Sequence, residues 1–462
     1  MKNSIFIFLF YSAVCLGQEV TYTPSQIRED VHYLHAALKS KHPNLYLYAS
    51  KQAIDTFFVE LASLEDTLDP VAAYNHLTTV SAEIKDGHTL FFPSAERLTY
   101  NNEHALFFPL KLLCQEKRLF VEANYGSNES IELGAEILYI NGVAVESIID
   151  HCLKRLMRDG ENLNYPLWIL NNYFFEYYSY FFGNPAYFSL EIINREGHKN
   201  TLEIEALPKS EIRANRLKRY GNKAKARGLN QTEKDGITLQ LDRSLETAVL
   251  AIRDFDNGVL RKLYQQGFKR AIDTHFEAIA QASIKHLVID LRGNQGGNLE
   301  NGIYLLSYVL QEKFRLVEAF YVVKQGESAN NEVRNKPKKG KGTRFFQPRP
   351  DAFKGEVYLL VDGGSFSNSA IVSSAFRHYK RGKIIGEETG GNERVICGYE
   401  HIITLPNTQL IVNIPIRQFA IRDKDKNDGH GVMPDYQVRP TIEGLIRDQD
   451  EAMDFVMELI RK

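Results

Sequence analysis

The sequence predicts a multidomain α+β chain with a helical N-terminal part, a β-rich middle carrying a helical insertion, and an α/β C-terminal half. Three observations carry this. Between Pro24 and Ser94 apolar residues recur at three- and four-residue spacing, the period of amphipathic helices. From about Leu106 to Leu207 that period gives way to short runs broken by Gly-bearing turns. From Gly236 onward short apolar strands alternate with helical stretches, the pattern of a partly parallel sheet covered by helices. A length of 462 residues leaves room for these parts. A hydrophobic share of 44% and a net charge of −2 describe a globular chain without the basic footprint of a nucleic-acid binder.

Met1–Gly17 carries Lys2, an apolar run from Ile5 to Leu16 and a small residue before Gln18. That is the pattern of a secretory signal peptide, too short to span a bilayer. Cys15 raises a lipoprotein alternative, which Ser12-Ala13-Val14 fits poorly. No later segment reaches the length of a membrane helix. Cys114, Cys152 and Cys397 allow one disulfide but not a disulfide framework, and their spacing does not suggest zinc. The helical part is assigned to residues 22–95: Ser25 reads as an N-cap, Ile27, Val31, Leu34 and Leu38 form one face, and His42-Pro43 stops the helix. It ends in the turn Asp86-Gly87-His88-Thr89.

Residues 105–207 form the β-rich part. Glu136–Ile140 followed by Asn141-Gly142 is a strand with a hairpin signal, and Phe188–Ile192 with Leu202–Ile204 flank a second turn at Glu196-Gly197. Between them runs an aromatic stretch, Tyr165–Phe188, read as core or a packed cap, with an apolar substrate platform as the minority reading. Residues 208–235 are polar and basic, a linker or exposed helix, and Asn335–Pro350 reads as an exposed loop. In the C-terminal half, 236–462, two strand–turn–helix units stand out. Leu287–Leu291 runs into Arg292-Gly293-Asn294-Gln295-Gly296-Gly297, and Val357–Val361 runs into Asp362-Gly363-Gly364-Ser365-Phe366-Ser367-Asn368-Ser369. A serine at the start of a helix is placed where backbone N–H groups and the helix dipole favour developing negative charge. The plain alternative is a capped helix whose serines serve only the turn.

These two units, with Asp86-Gly87-His88-Thr89 upstream and Gly431-Val432-Met433-Pro434-Asp435 downstream, resemble the C-terminal processing (tail-specific) serine peptidases and their tricorn-like relatives. The resemblance covers nearly the whole chain after the N-terminus and rests on four motifs in the right order. It implies a PDZ-like fold for the β-rich part, where a peptide adds as an edge strand, and a ClpP/crotonase-like α/β protease core. Ser367 takes the nucleophile's place in the S-x-S-x-S run, with Ser365 and Ser369 serving turn and helix. The tail-specific branch uses a Lys about two dozen residues later, but Gly386–Glu393 contains none and Asn392 stands near that place, so the general base falls to His88, as in the tricorn-like members. Those members orient the His with a Glu, which Asp428 would replace; Asp86 is the alternative carboxylate and His430 a bystander. The oxyanion hole is expected from the N–H of Asn368 and one from Gly296 or Gly297.

The resulting expectation is a secreted or periplasmic serine endopeptidase acting on peptides or unfolded proteins through an acyl-enzyme, with no metal or organic cofactor. The rival from another class is a non-catalytic protein holding peptides or apolar ligands on the same fold. A third reading, an esterase of small molecules, shares the chemistry.

Overall fold

A computed structural model describes residues 20–221, 235–323 and 337–462. The leader assigned to residues 1–17, the second half of the polar stretch 208–235 and the first two residues of the loop at 335–350 lie outside them.

The N-terminal part is helical, with Pro24–Lys41, Lys51–Leu61, Pro70–Thr78 and Val80–Ile84. The first helix is capped by Thr23 rather than Ser25: the Thr23 hydroxyl accepts from the Gln26 N–H, and the Gln26 side chain accepts from the Thr23 N–H. Ile27, Val31, Leu34 and Leu38 are all fully buried, as the period required, and His42 closes the helix. Asp30, also buried on this helix, accepts hydrogen bonds from the N–H groups of Asn407 and Thr408 and from the Thr408 hydroxyl. The helical part is thereby pinned to the C-terminal half.

The β-rich part is a sheet in the order Leu110–Gln115, Arg118–Asn124, Glu136–Ile140, Tyr187–Ile193, Lys199–Glu205, with a helix over Val145–Leu153. The aromatic stretch forms a helix over Asn164–Phe182. It packs along the edge strand Leu110–Gln115, where the Cys114 N–H donates to Asn171 Oδ1 at 2.6 Å. Residues Lys209–Tyr220, at the start of the expected linker, are also a helix.

In the C-terminal half the main sheet runs in the order Ile237–Asp242, Thr247–Ile252, His286–Asp290, Glu356–Val361, Lys383–Gly386, Tyr436–Gln437. All neighbours after the first hairpin are parallel. Parallel strands need crossovers, and helices Asn257–Tyr264, Phe268–Gln281, Leu299–Val309 and Asn368–His378 supply them. The run Val357–Val361 is buried at every position, which explains its continuous apolar sequence.

A second sheet is built on a long hairpin, Val395–Thr404 with Ile411–Ala420, which the sequence periodicity did not reveal. Leu90–Phe92, directly after the Asp86–Thr89 turn, pairs with residues 411–413 of that hairpin. This pairing carries the N-terminal histidine across to the C-terminal half. Cys114, Cys152 and Cys397 are buried free thiols, and no helix of the described residues is long and apolar enough to cross a membrane.

Candidate active site

Ser367 stands at the carboxyl end of strand Glu356–Val361, where open α/β sheets place their ligands. It is the N-cap of helix Asn368–His378, with φ +52 and ψ −123. A non-glycine residue at positive φ costs on the order of 1–3 kcal/mol, and such strain gathers at functional sites. The turn that imposes it is densely bonded. Ser365 donates its hydroxyl to Leu291 O (2.8 Å), and Asp362 Oδ1 accepts from the Gly293 N–H (2.8 Å) and the Gly364 N–H (2.9 Å). Ser365 is thus committed to the turn, while the Ser369 hydroxyl is buried without a hydrogen-bond partner among the described residues. Of the three serines only Ser367 is partly exposed.

The Ser367 hydroxyl meets His88. The Nε2–Oγ distance is 3.1 Å, although 279 positions separate the two residues in the chain. The turn holding His88 is fixed by Asp86, whose Oδ1 accepts from the His88 N–H (2.9 Å) and the Thr89 hydroxyl (3.2 Å). Asp86 Oδ2 lies 3.5 Å from His42 Nε2. Burial pushes the Asp86 carboxyl up, but His42, His88 and the Cys397 thiol outweigh it and hold it well below the usual carboxylate range. His88 is itself buried, which lowers its pKa, while Asp86 and then Glu400 pull it back up. A buried anion beside the imidazole is what an imidazolium formed during proton transfer requires.

His42, Asp86 and Cys397 each offer a potential ligand atom within 4.8 Å of the others, the metal-like cluster of the described residues. The hydrogen bonds favour another use. His42 Nδ1 accepts from the Asn44 N–H (3.2 Å), which leaves the proton on Nε2, facing Asp86 rather than a cation.

The expected orienting carboxylate is corrected. Asp428 is exposed, its Oδ1 accepts from the His430 N–H, and no hydrogen bond joins it to His88. The His88 Nδ1 atom is buried without a hydrogen-bond partner among the described residues. A short polar loop at the surface has no reason to bury a carboxylate, so Asp428 stays in its own turn. His430 is occupied by Glu388, at 3.2 Å from Oε1. Asn392 is fully buried, and its side chain ties Tyr48 and Asn427 to the start of the hairpin.

Asn368 and the glycines do converge. A Cβ built on Gly296 would lie 2.7 Å from the Asn368 nitrogen and 2.7 Å from Ser367 Cβ, so only glycine lets this loop approach Ser367 so closely. The Gly296 N–H itself is turned away, donating to Asn294 Oδ1 at 2.9 Å, which removes it as an oxyanion donor. Gly297 pairs with Phe255 in a parallel bridge made by Gly296 O and the Asn298 N–H. Its own N–H therefore faces the other side. Arg292 holds the loop from behind, bonded to Asp290 and to Asp450. Asn294 donates to Ile252 O (2.9 Å) and accepts from the Phe366 N–H through its carbonyl.

Two groups were not singled out from the sequence. Phe366 stacks on His88, ring centroids 4.7 Å apart. Asp159 bridges the two halves, accepting from the Gly87 N–H (2.8 Å) and the Asn392 N–H (3.2 Å). Burial and the nearby Asp86 push its carboxyl up to about 7. An aromatic immediately before Ser367 was the available signal for the first; Asp159 carries no local signal. The cleft over Ser367 has a volume of about 360 Å³ and includes Leu299, Ile371, Ile396, Tyr399, Glu400 and Phe419. A larger cavity of about 490 Å³ lies between the β-rich part and helix Lys209–Tyr220 and touches neither Ser367 nor His88.

Residues 246–438, the span holding Ser367 and the glycine loop, match the family model of peptidase family S41. That span is less than half of the 462-residue chain, and over it the chain is similar to that family. A probable CtpA-like serine protease of Staphylococcus aureus is 25% identical over 150 residues, which cover 32% of this chain and 25% of the relative. The chain thus matches about a quarter of the length of the curated relatives. Among solved structures, mature CPAF superposes with a TM-score of 0.67 at 12% identity, covering 95% of this chain and 96% of that one. A likeness at that identity shows a shared fold.

Proposed function

We propose that the chain is a serine endopeptidase working through an acyl-enzyme. The observation that carries this is the 3.1 Å approach of His88 Nε2 to the strained Ser367 hydroxyl. In this reading His88, with its proton on Nδ1, takes the Ser367 proton as Oγ attacks a peptide carbonyl. The tetrahedral oxyanion is held by the N–H groups of Asn368 and Gly297. His88, momentarily an imidazolium facing Asp86, then protonates the leaving amine, and water repeats the cycle on the ester.

The β-rich part would dock the substrate as an added strand in the PDZ manner. Its edge strand Leu110–Gln115 is already covered by the aromatic helix, whereas Lys199–Glu205 is largely exposed, so the open edge is the second one. Export through the leader at Met1–Gly17 would place the enzyme outside the cytoplasm.

A fluorophosphonate probe tests the chemistry, because only an activated serine is labelled. Labelling of the wild type, lost in Ser367→Ala, supports the proposal. An unlabelled wild type would leave the ligand-holding reading. Ester turnover without cleavage of an unfolded protein would favour the small-molecule esterase.

A further inference from the structure

The Ser367–His88 pair lacks a hydrogen-bonded carboxylate on Nδ1, yet the imidazole plane is held. What holds it is a stack of rings reaching in from the β-rich part. His88 lies on Phe366 (4.7 Å, 25° between planes), and Phe366 lies on Tyr165 (4.0 Å, 2°). Trp168 follows, nearly parallel to Tyr165 at 6.3 Å. Tyr165 and Trp168 are in the first turn and a half of helix Asn164–Phe182. Tyr165 does two things at once. Its ring backs Phe366, and its hydroxyl donates to Gln295 Oε1 at 3.2 Å, on the loop that carries Gly296 and Gly297. Trp168 seals the arrangement from behind, because a Cβ on Gly364 would lie 2.3 Å from its indole.

We infer that Tyr165 is a positioning residue for this site: through Phe366 it fixes the plane of His88, and through Gln295 it fixes the oxyanion loop. The inference rests on the serine-hydrolase reading above. A flat ring stacked at about 4 Å restricts the tilt of its neighbour, as an orienting carboxylate would, without a hydrogen bond. The stack also excludes water from one face of His88. The charged or titratable groups facing the imidazole are Asp86 on its own turn and Glu400 on strand Val395–Thr404. His42, the Cys397 thiol and Asp159 surround Asp86 in turn.

The test uses the full chain and a fluorescent fluorophosphonate, with labelling rates measured from pH 4 to 9 and a small chromogenic ester giving kcat and KM. Tyr165→Leu removes the ring and is expected to slow labelling on the order of a hundredfold, the effect of misplacing a reacting group by about 1 Å. Its ester KM should stay near that of the wild type. Its acid limb should move to higher pH as water reaches His88, a change that a merely structural role would not produce. Tyr165→Phe keeps the stack and loses the Gln295 bond. It should keep the wild-type acid limb and lose about 2- to 10-fold in kcat, the worth of one neutral hydrogen bond. A folded Tyr165→Leu with wild-type rate and acid limb overturns the inference. If the Leu variant does not fold, unchanged kcat in Tyr165→Phe overturns it alone. Failure of the underlying reading is distinct, since the wild type itself would then not be labelled.

Discussion

Replacing Gly296 by alanine isolates the contribution of the oxyanion loop. The added methyl would lie 2.7 Å from the Asn368 nitrogen, 2.7 Å from Ser367 Cβ and 2.9 Å from Phe366 O. Ordinary contact begins at about 3.4 Å, so backbone must move by roughly 0.7 Å, and all three neighbours belong to the bonded nucleophile turn. A methyl 2.7 Å from the Asn368 nitrogen also crowds the donor proposed for the oxyanion. Loss of one such donor costs roughly 10²–10³ in kcat, or about 3–4 kcal/mol of transition-state stabilisation. A second effect falls on stability, because φ at this residue is +105 and a side chain there costs about 1–2 kcal/mol. The two effects separate by assay. Thermal melting reports the strain, while ester kcat and fluorophosphonate labelling of the folded fraction report the chemistry. The expected outcome is a modestly lower melting temperature with a rate lower by at least a hundredfold. A folded Gly296→Ala variant reacting within threefold of wild type would refute the placement of the oxyanion hole.

Other expectations follow from the same geometry. Asp428→Asn should leave kcat within about threefold of wild type, whereas the mis-set carboxylate of a hydrogen-bonded triad costs roughly 10⁴; a loss of that size would restore Asp428 to the site. Because burial lowers the His88 pKa, the acid limb of labelling should fall below the ordinary value of 6.5, and Glu400→Gln should lower it further by removing a favourable charge. An acid limb above 6.5 would contradict this. Asp159, whose folded carboxyl is raised to about 7 from 3.8, contributes stability that is fully present below the unfolded value and lost as pH rises through about 7. Melting curves between pH 5 and 8 should therefore decline less steeply for Asp159→Asn than for wild type, and equal slopes would count against the assignment.

Much of the fold was legible because the relevant signals are local. The fully buried run Val357–Val361 and the turn Asp362–Gly364 announce a strand and a presented serine, and both occur as read. Asn141-Gly142 marks its hairpin because a two-residue turn requires positive φ at both positions, and Asn141 and Gly142 adopt it. The long hairpin Val395–Thr404 with Ile411–Ala420 was not legible, since its outer residues follow the docking of Leu90–Phe92 and Ala319–Val322 rather than a clean alternation. At the site, the pairing of His88 with Ser367 could be argued only by resemblance, because no periodicity links positions so far apart. The misplacement of Asp428 has the same origin. A carboxylate near the right motif satisfies a pattern, but whether its loop turns inward depends on packing that the motif does not encode. Tyr165 was read as part of an aromatic core; the sequence could show its apolar character but not which ring it would support.

The reacting pair is shared between two parts of the chain that meet late. Asp30 against Asn407 and Thr408, and Leu90–Phe92 against residues 411–413, are contacts that exist only after the final hairpin has formed. A polypeptide emerging from the ribosome would carry its imidazole long before the hydroxyl, and the hydroxyl before the strand that brings them together. On the serine-hydrolase reading, activity would therefore arrive late in maturation, sparing the cell from half-built copies. It also means that the S41-matched segment 246–438, expressed alone, holds Ser367 without His88. Supplying residues 20–221 in trans would be the natural way to switch such a fragment on.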